Sequence, residues 1–301
     1  MGIPQHLMRP TEAVVLEDSP AHRYSGQFEF LTRFPAYTVE HEDTSARLWY
    51  RVEHEARRLD MERRDWGLVV SGDPAVASRV FHRDAPPLPD AGWLPSEPPV
   101  HRQLHPRYAG IRPVLFVDPF EGMAWTILGQ QITVALAACL KQAVARRYGL
   151  RVEGRSRLLH LFPGPAALAR ATVDDLRALQ LSRQKAGTLI ELARAIEDGR
   201  LKADDLYRTS SKAAREVLTG FRGIGPWTAE YILLRVYGHP DVLPAADVGL
   251  QRAWARLGGA GGRAPEAAIR EAGTAWSGYR SDFAFALWLD NLATRGAIRP
   301  S

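Results

Sequence analysis

Asp247 lies in Leu243-Pro244-Ala245-Ala246-Asp247-Val248-Gly249-Leu250, where a proline stops regular structure and sets an acid at the mouth of the next helical segment. An aspartate there accepts backbone N–H groups as a helix cap, and capping alone accounts for most such residues. An ionised carboxylate beside an amide-lined helix end is also suited to stabilising a cationic sugar while a glycosidic bond breaks. The two roles can coexist. Upstream, Leu218-Thr219-Gly220-Phe221-Arg222-Gly223-Ile224-Gly225-Pro226-Trp227-Thr228-Ala229-Glu230-Tyr231 reads as a helix end, a glycine-rich hairpin and a new helix. Glycines let backbone amides close on a phosphate, Pro226 presets the first helical turn, and the helix dipole favours an anion. A Gly-x-Gly before a helix also occurs in many loops that bind nothing, so the segment gains meaning only with its neighbours. Trp227 and Tyr231, four apart on one helix face, are either core packing or walls of a pocket for a flat cationic group.

These residues need a helical scaffold, and the chain from Asp118 onward has the pattern for one. Asp118 caps, Pro119 takes the first turn, Glu121 follows three residues after the cap, and Gly129 interrupts that helix. Val134 to Tyr148 makes the next, with Gly149 expected as a left-handed stop. Thr172 precedes Val173-Asp174-Asp175, Ser182 and Gly199 bound an amphipathic segment, and Ser210 or Ser211 opens Lys212 to Leu218. The pairs Asp174-Asp175 and Asp204-Asp205 fit first-turn helix acids better than metal ligands.

Before Asp118 the pattern differs. Residues 1 to 26, interrupted by Pro4, Pro10, Pro20 and Gly26, read as a poorly ordered leader. Strand-like pieces follow, with Phe28 and Phe30, then Leu48, Tyr50 and Val52, then Leu68-Val69-Val70, as in a small antiparallel sheet. Pro86, Pro87, Pro89, Pro95, Pro98, Pro99 and Pro106 break helices and strands alike and mark a boundary. The expected class is α+β: a leader over 1–26, a sheet-containing domain over 27–107 with its proline-rich connection, an all-helical domain over 108–293 and a frayed tail over 294–301.

The 301 residues, 46% hydrophobic and 24% charged, suit two domains with a sizeable core and are too apolar for a disordered chain. A net charge of +5 and a pI near 9.5 suit a polyanionic partner and equally a solvated basic surface. The single cysteine, Cys139, excludes a disulfide within the chain and a four-thiolate cluster. Among Ala137, Ala138 and Leu140 it reads as an inert packing residue in a reducing cytoplasm. No His-x-Glu with a Pro-Cys-x-x-Cys partner is present, which excludes a zinc deaminase. No apolar run approaches the ~20 residues of a membrane span, and no signal-peptide pattern opens the chain. A soluble, cytoplasmic, nucleoid-associated monomer is expected.

Six motifs occur in order: Asp118-Pro119-Phe120-Glu121, Ile127-Leu128-Gly129-Gln130-Gln131-Ile132-Thr133, Leu181-Ser182-Arg183-Gln184-Lys185-Ala186, the hairpin, Leu243-Pro244-Ala245-Ala246-Asp247 and Tyr279-Arg280-Ser281. With them, the stretch from Tyr108 to Trp288 resembles 3-methyladenine DNA glycosylase II, the AlkA-type branch of the helix-hairpin-helix DNA glycosylases. Residues 27–105 only weakly resemble that family's sheet-containing N-terminal domain.

The resemblance implies an enzyme that flips a damaged nucleotide out of duplex DNA and hydrolyses the N-glycosidic bond of N3- or N7-methylated purines, opening base excision repair. It places Asp247 at the catalytic aspartate and Trp125, Trp227, Tyr231 and Tyr279 around the base. Tyr279 replaces a tryptophan of the best-known members, which leaves the substrate range open. Trp227 stands where bifunctional relatives carry a Schiff-base lysine, implying an abasic product without strand cleavage. Gln131 falls at the wedge position, an amide where an apolar residue is frequent, with a plain surface turn as the other reading. Gly223, Gly225 and Thr228 are the implied DNA contacts. The backbone carbonyls of Thr219, Phe221 and Gly223 are an implied seat for Na+ or K+, with no other cofactor required. Two rival readings stay open: a non-catalytic helix-hairpin-helix DNA-binding module, which needs no carboxylate, and a glycosylase of the same superfamily for other damaged bases.

Overall fold

The computed structural model describes residues 13–19, 22–85, 88 and 100–296. Most of the expected leader, much of the proline-rich connection and the tail beyond residue 296 lie outside the described residues.

The N-terminal part runs β1 (Ala13–Glu17), α1 (Tyr24–Arg33), β2 (Thr38–Glu42), β3 (Ser45–Val52), β4 (Glu55–Arg64), β5 (Gly67–Ser71) and α2 (Pro74–Val80). The five strands form an antiparallel sheet in the order β1-β5-β4-β3-β2. Register explains its buried face: Leu48 pairs with Leu59, Ala46 with Met61, and Val70 with both Met61 and Val14. All of these are buried, and α1 packs on β2, β4 and β5.

Two expectations fail here. Residues 13–17, assigned to the leader, are a strand, because β5 supplies the ladder partner that a single segment lacks. Phe28 and Phe30 lie on α1 rather than on a strand. Tyr24, Gln27, Phe28 and Leu31 are buried at helical spacing, and two aromatics two apart imitate alternation only when read without them.

The helical part comprises α3 (Val100–Tyr108), α4 (Pro119–Gly129), α5 (Val134–Tyr148), α6 (Pro165–Ala169), α7 (Val173–Arg177) and α8 (Arg183–Glu197). It continues through α9 (Ser211–Thr219), α10 (Pro226–Arg235), α11 (Val248–Leu257), α12 (Glu266–Ala272) and α13 (Arg280–Thr294). Side chains of Asp118, Thr133, Thr172, Ser182, Ser210 and Asp247 each accept a backbone N–H at a helix start. Glu121 turns away from its cap toward Lys141 Nζ, 2.5 Å off.

This part is not all helical: β6 (Leu150–Glu153) and β7 (Leu158–Leu161) form a hairpin whose Val152, Leu159 and Leu161 pack on Trp49 and Ala56 of the sheet. Gly149 is extended, not left-handed (φ −87°); a Cβ there would lie 1.9 Å from the Leu161 carbonyl, so close approach demands the glycine. Pro106 sits inside α3 near its end, where it forfeits one backbone bond without stopping the helix. Cys139 is exposed, because α5 buries the face of Ala137, Leu140, Lys141 and Val144.

One core runs through both parts. Phe30 of α1 meets Phe285 of α13 edge-on at 5.0 Å. The buried Arg112 forks onto Asp282 of α13 at 3.0 and 3.2 Å. Arg51 of β3 pairs with Asp118 at the start of α4.

Candidate active site

Asp247 is the N-cap of α11, and its Oδ1 accepts the N–H groups of Gly249 at 2.7 Å and Leu250 at 3.1 Å. Capping leaves the rest of the carboxylate free for other partners, and two indoles take it. Trp288 of α13 donates Nε1–H to Oδ1 at 2.9 Å, and Trp227 of α10 donates Nε1–H to Oδ2 at 3.0 Å. Four donors thus converge on one half-buried carboxylate, three on Oδ1 and one on Oδ2. Gly249 makes the fold-over possible, since a Cβ there would lie 2.9 Å from Oδ1.

Tyr231, one turn beyond Trp227, lies 5.7 Å from that indole and 5.0 Å from Trp288, so the three rings form a continuous aromatic surface beside the carboxylate. Burial pushes the Tyr231 hydroxyl up from its usual range, against the pull of Arg235. That hydroxyl accepts Trp125 Nε1–H at 3.4 Å. Trp125 is itself buried against Phe34 and so ties α4 to Tyr231. Tyr279 is the half-buried N-cap of α13, nine residues before Trp288, about 13 Å along the helix axis. Trp227, Tyr231 and Asp247 are therefore brought together, Trp125 bonds to Tyr231, and Tyr279 caps the start of α13.

The hairpin between α9 and α10 is braced from two sides. Gln130 Nε2 donates to the Gly223 carbonyl and to Thr228 Oγ1, both at 2.9 Å. Thr188 Oγ1 of α8 donates to the Arg222 carbonyl at 3.0 Å. Lys185, also on α8, donates to the Leu128 carbonyl at 2.6 Å and so fixes the end of α4. Thr228, expected as a DNA contact, has a buried side chain whose hydroxyl Gln130 occupies; only its backbone N–H belongs to the open helix end.

The glycines divide. Gly223 has φ +91° and a Cβ would meet Thr188 Oγ1 at 2.2 Å, so the fold itself demands it. Gly225 has ordinary extended dihedrals (φ −89°, ψ 179°) and open space where a Cβ would go, yet it begins α10 with no side-chain cap. Gln131 is exposed in the turn from α4 to α5 with φ +57°, a left-handed backbone that a non-glycine residue adopts at a cost. Of the cation seat, the Phe221 carbonyl accepts Ile224 N–H at 3.0 Å and the Gly223 carbonyl accepts Gln130, each keeping one lone pair, while Thr219 is exposed at the end of α9.

The sequence pattern of the HhH-GPD superfamily base excision DNA repair proteins matches residues 124–277. The chain belongs to that family. DNA-3-methyladenine glycosylase of Bacillus subtilis is 32% identical over 182 residues, which cover 60% of this chain and 60% of that protein. DNA-3-methyladenine glycosylase 2 of Escherichia coli is 34% identical over 179 residues, again 60% of each chain. The chain thus aligns with about three-fifths of the length of these relatives. Over the whole fold it superposes on the 3-methyladenine DNA-glycosylase from Archaeoglobus fulgidus with a TM-score of 0.76 at 25% identity, covering 93% of this chain and 98% of that one. The HhH-GPD match contains the hairpin, Trp227, Tyr231 and Asp247, whereas Tyr279 and Trp288 lie beyond its end.

Two residues of this HhH-GPD site escape the sequence reading. Gln130 stands in the quoted Gly129-Gln130-Gln131 run, but a side chain that bonds across 93 residues to Gly223 leaves no local trace. Trp288 is an apolar-face residue of a hydrophobic helix, and nothing in its neighbours marks the indole N–H as aimed at a carboxylate. Among the described residues no group of His, Cys, Asp or Glu could hold a metal ion.

Proposed function

We propose that this HhH-GPD protein is a DNA glycosylase that removes N3- or N7-methylated purines from duplex DNA by hydrolysing the N-glycosidic bond of a flipped nucleotide. The observation that carries this is the carboxylate of Asp247, held by Trp227 and Trp288 in addition to the two amides that capping requires. A cap alone needs no indole donors, and a passive DNA-binding module needs no oriented acid. The matched relatives named as DNA-3-methyladenine glycosylases support the substrate class.

Leaving of an alkylated purine needs little push, because the base already carries positive charge; the remaining barrier is the developing charge on the sugar. Asp247 Oδ2, with a single protein donor, keeps lone-pair capacity, while Oδ1 is fully occupied by the frame. Oδ2 faces the sugar and offsets that charge as the C1′–N bond lengthens, and water adds at C1′ to leave an abasic site. Trp227, Tyr231 and Trp288 offer an electron-rich surface to the cationic base. Trp227 in place of an amine gives no Schiff base, so borohydride traps no adduct.

The hairpin holds the DNA strand through the amides of Gly225, Trp227 and Thr228 at the open start of α10. Gln131 enters the gap left by the flipped base. A Na+ or K+ ion fits the carbonyls of Thr219, Phe221 and Gly223, where it supplies positive charge between hairpin and phosphate. The partner is duplex DNA with one damaged base, bound by a monomer.

Asp247→Asn tests the assignment. Free methylated bases released from methylated duplex are followed by chromatography, and excision falls at least about a hundredfold, while undamaged-duplex affinity stays within about twofold because phosphate contacts dominate binding. Unchanged excision would overturn the role of Asp247.

A further inference from the structure

A cleft of about 400 Å³ opens between α9, α10, α12 and the start of α13, lined by Lys212, Arg215, Glu230, Asp241, Arg270 and Arg280 among others. Its lining omits Asp247, Trp227, Tyr231 and Trp288. Glu230 and Leu233 leave α10 about 100° and 160° round the helix from Tyr231, on another face. Its two acids are already matched: both Glu230 oxygens lie 3.3 Å from Arg270 Nη2, and Asp241 accepts Arg280 Nη1 at 3.2 Å and Gly278 N–H at 2.9 Å.

Lys212 and Arg215 are incompletely matched: Lys212 pairs with no acid among the described residues, and Arg215 shares Glu230 with Arg270. They stand three apart near the start of α9, where like charges on one helix face repel and the dipole is positive. Neither side chain makes a hydrogen bond among the described residues, and the nearest acid to Arg215 is Glu230 at 3.7 Å, already held by Arg270. One unpaired lysine and an arginine that shares its carboxylate, with the guanidiniums of Arg270 and Arg280 lining the same cleft, suit a group with several anionic oxygens.

We propose that this cleft is a second phosphate site, separate from the hairpin, that takes a phosphate monoester or diester. The phosphate comes either from a small soluble molecule or from the backbone of bound DNA. The proposal does not depend on excision at Asp247, and Asp247→Asn leaves it intact.

Lys212→Gln/Arg215→Gln tests it, with both residues exposed so that the fold is kept; a thermal melt checks this. Calorimetric titration with inorganic phosphate at constant ionic strength gives a saturable heat in the wild-type protein, and its affinity falls at least tenfold in the double variant. If the variant also binds undamaged duplex with a log K against log salt slope smaller by about one, the phosphate is DNA's; an unchanged slope assigns the cleft to a soluble phosphate. No saturable heat in the wild type, or heat that survives both substitutions, overturns the proposal.

Discussion

Trp288 donates its indole N–H to the Asp247 oxygen that closes the first turn of α11, so a residue on the last helix fixes the carboxylate of the cap. Replacing Trp288 with Phe keeps a ring against Tyr231 and removes only the donor. A hydrogen bond to a charged group contributes about 1.5–3 kcal/mol, so single-turnover excision falls on the order of 10- to 100-fold while duplex affinity holds. Full activity in this variant would show that the fourth donor does not orient the acid.

The two hairpin glycines separate folding from binding. Gly225→Ala puts its Cβ in open space and needs no unusual backbone, so the melting temperature stays within a few degrees while duplex affinity drops across all sequences. Gly223→Ala forces a Cβ onto Thr188 at φ +91° and destabilises by about 1–3 kcal/mol. Equal loss of melting temperature in both would refute the division.

Gln130 joins the α4–α5 turn to the hairpin, and Gln130→Leu strips the Gly223 carbonyl and Thr228 hydroxyl of their shared donor. One lost bond is worth about 1 kcal/mol. Faster amide exchange over 221–225 and a several-fold weaker complex with undamaged duplex are expected; exchange unchanged from wild type would assign the hairpin's rigidity to α8 alone.

Stability responds to pH through His22 and, with the same sign, through the buried His82, held down at about 3 by burial and Arg112. Burial, aided by Arg112, holds the His22 ring down at about 4, against an ordinary 6.5. Its Nε2 lies 3.1 Å from the Phe81 carbonyl, an acceptor, so Nε2 carries the proton of the neutral ring. The unfolded chain binds a proton that the folded one refuses, so this contribution is complete above pH 6.5 and is lost as pH falls toward 4. The slope is at most about 1.4 kcal/mol per pH unit, on the order of 3 kcal/mol over the window. Urea unfolding at pH 7.0 and 5.0 measures it, and His22→Gln reduces the difference while His82 keeps its own share; an unchanged difference in that variant would remove His22 as a cause.

Much of the frame is legible in the residues. Asp118, Thr133, Thr172, Ser182, Ser210 and Asp247 mark helix starts because capping acts within three residues, and the HhH-GPD hairpin reads as a turn because Gly223 permits a left-handed backbone and Pro226 fixes its own φ. The strand β1 and the hairpin β6–β7 are not legible, since each is defined by a ladder partner or a sheet face supplied from elsewhere.

The sequence by itself determined the helix starts, the hairpin and the position of Asp247 at a helix mouth, all of which are set by interactions between near neighbours in the chain. Only the tertiary structure decided that Trp227 and Trp288, 20 and 41 residues away, aim their N–H groups at that acid. It also decided that Trp125 reaches the Tyr231 hydroxyl and that Gln130, not its exposed neighbour, braces the hairpin. Those choices follow from how α4, α10, α11 and α13 pack, and a side chain's partner across a packed core is fixed by the arrangement of whole helices, not by its own neighbours.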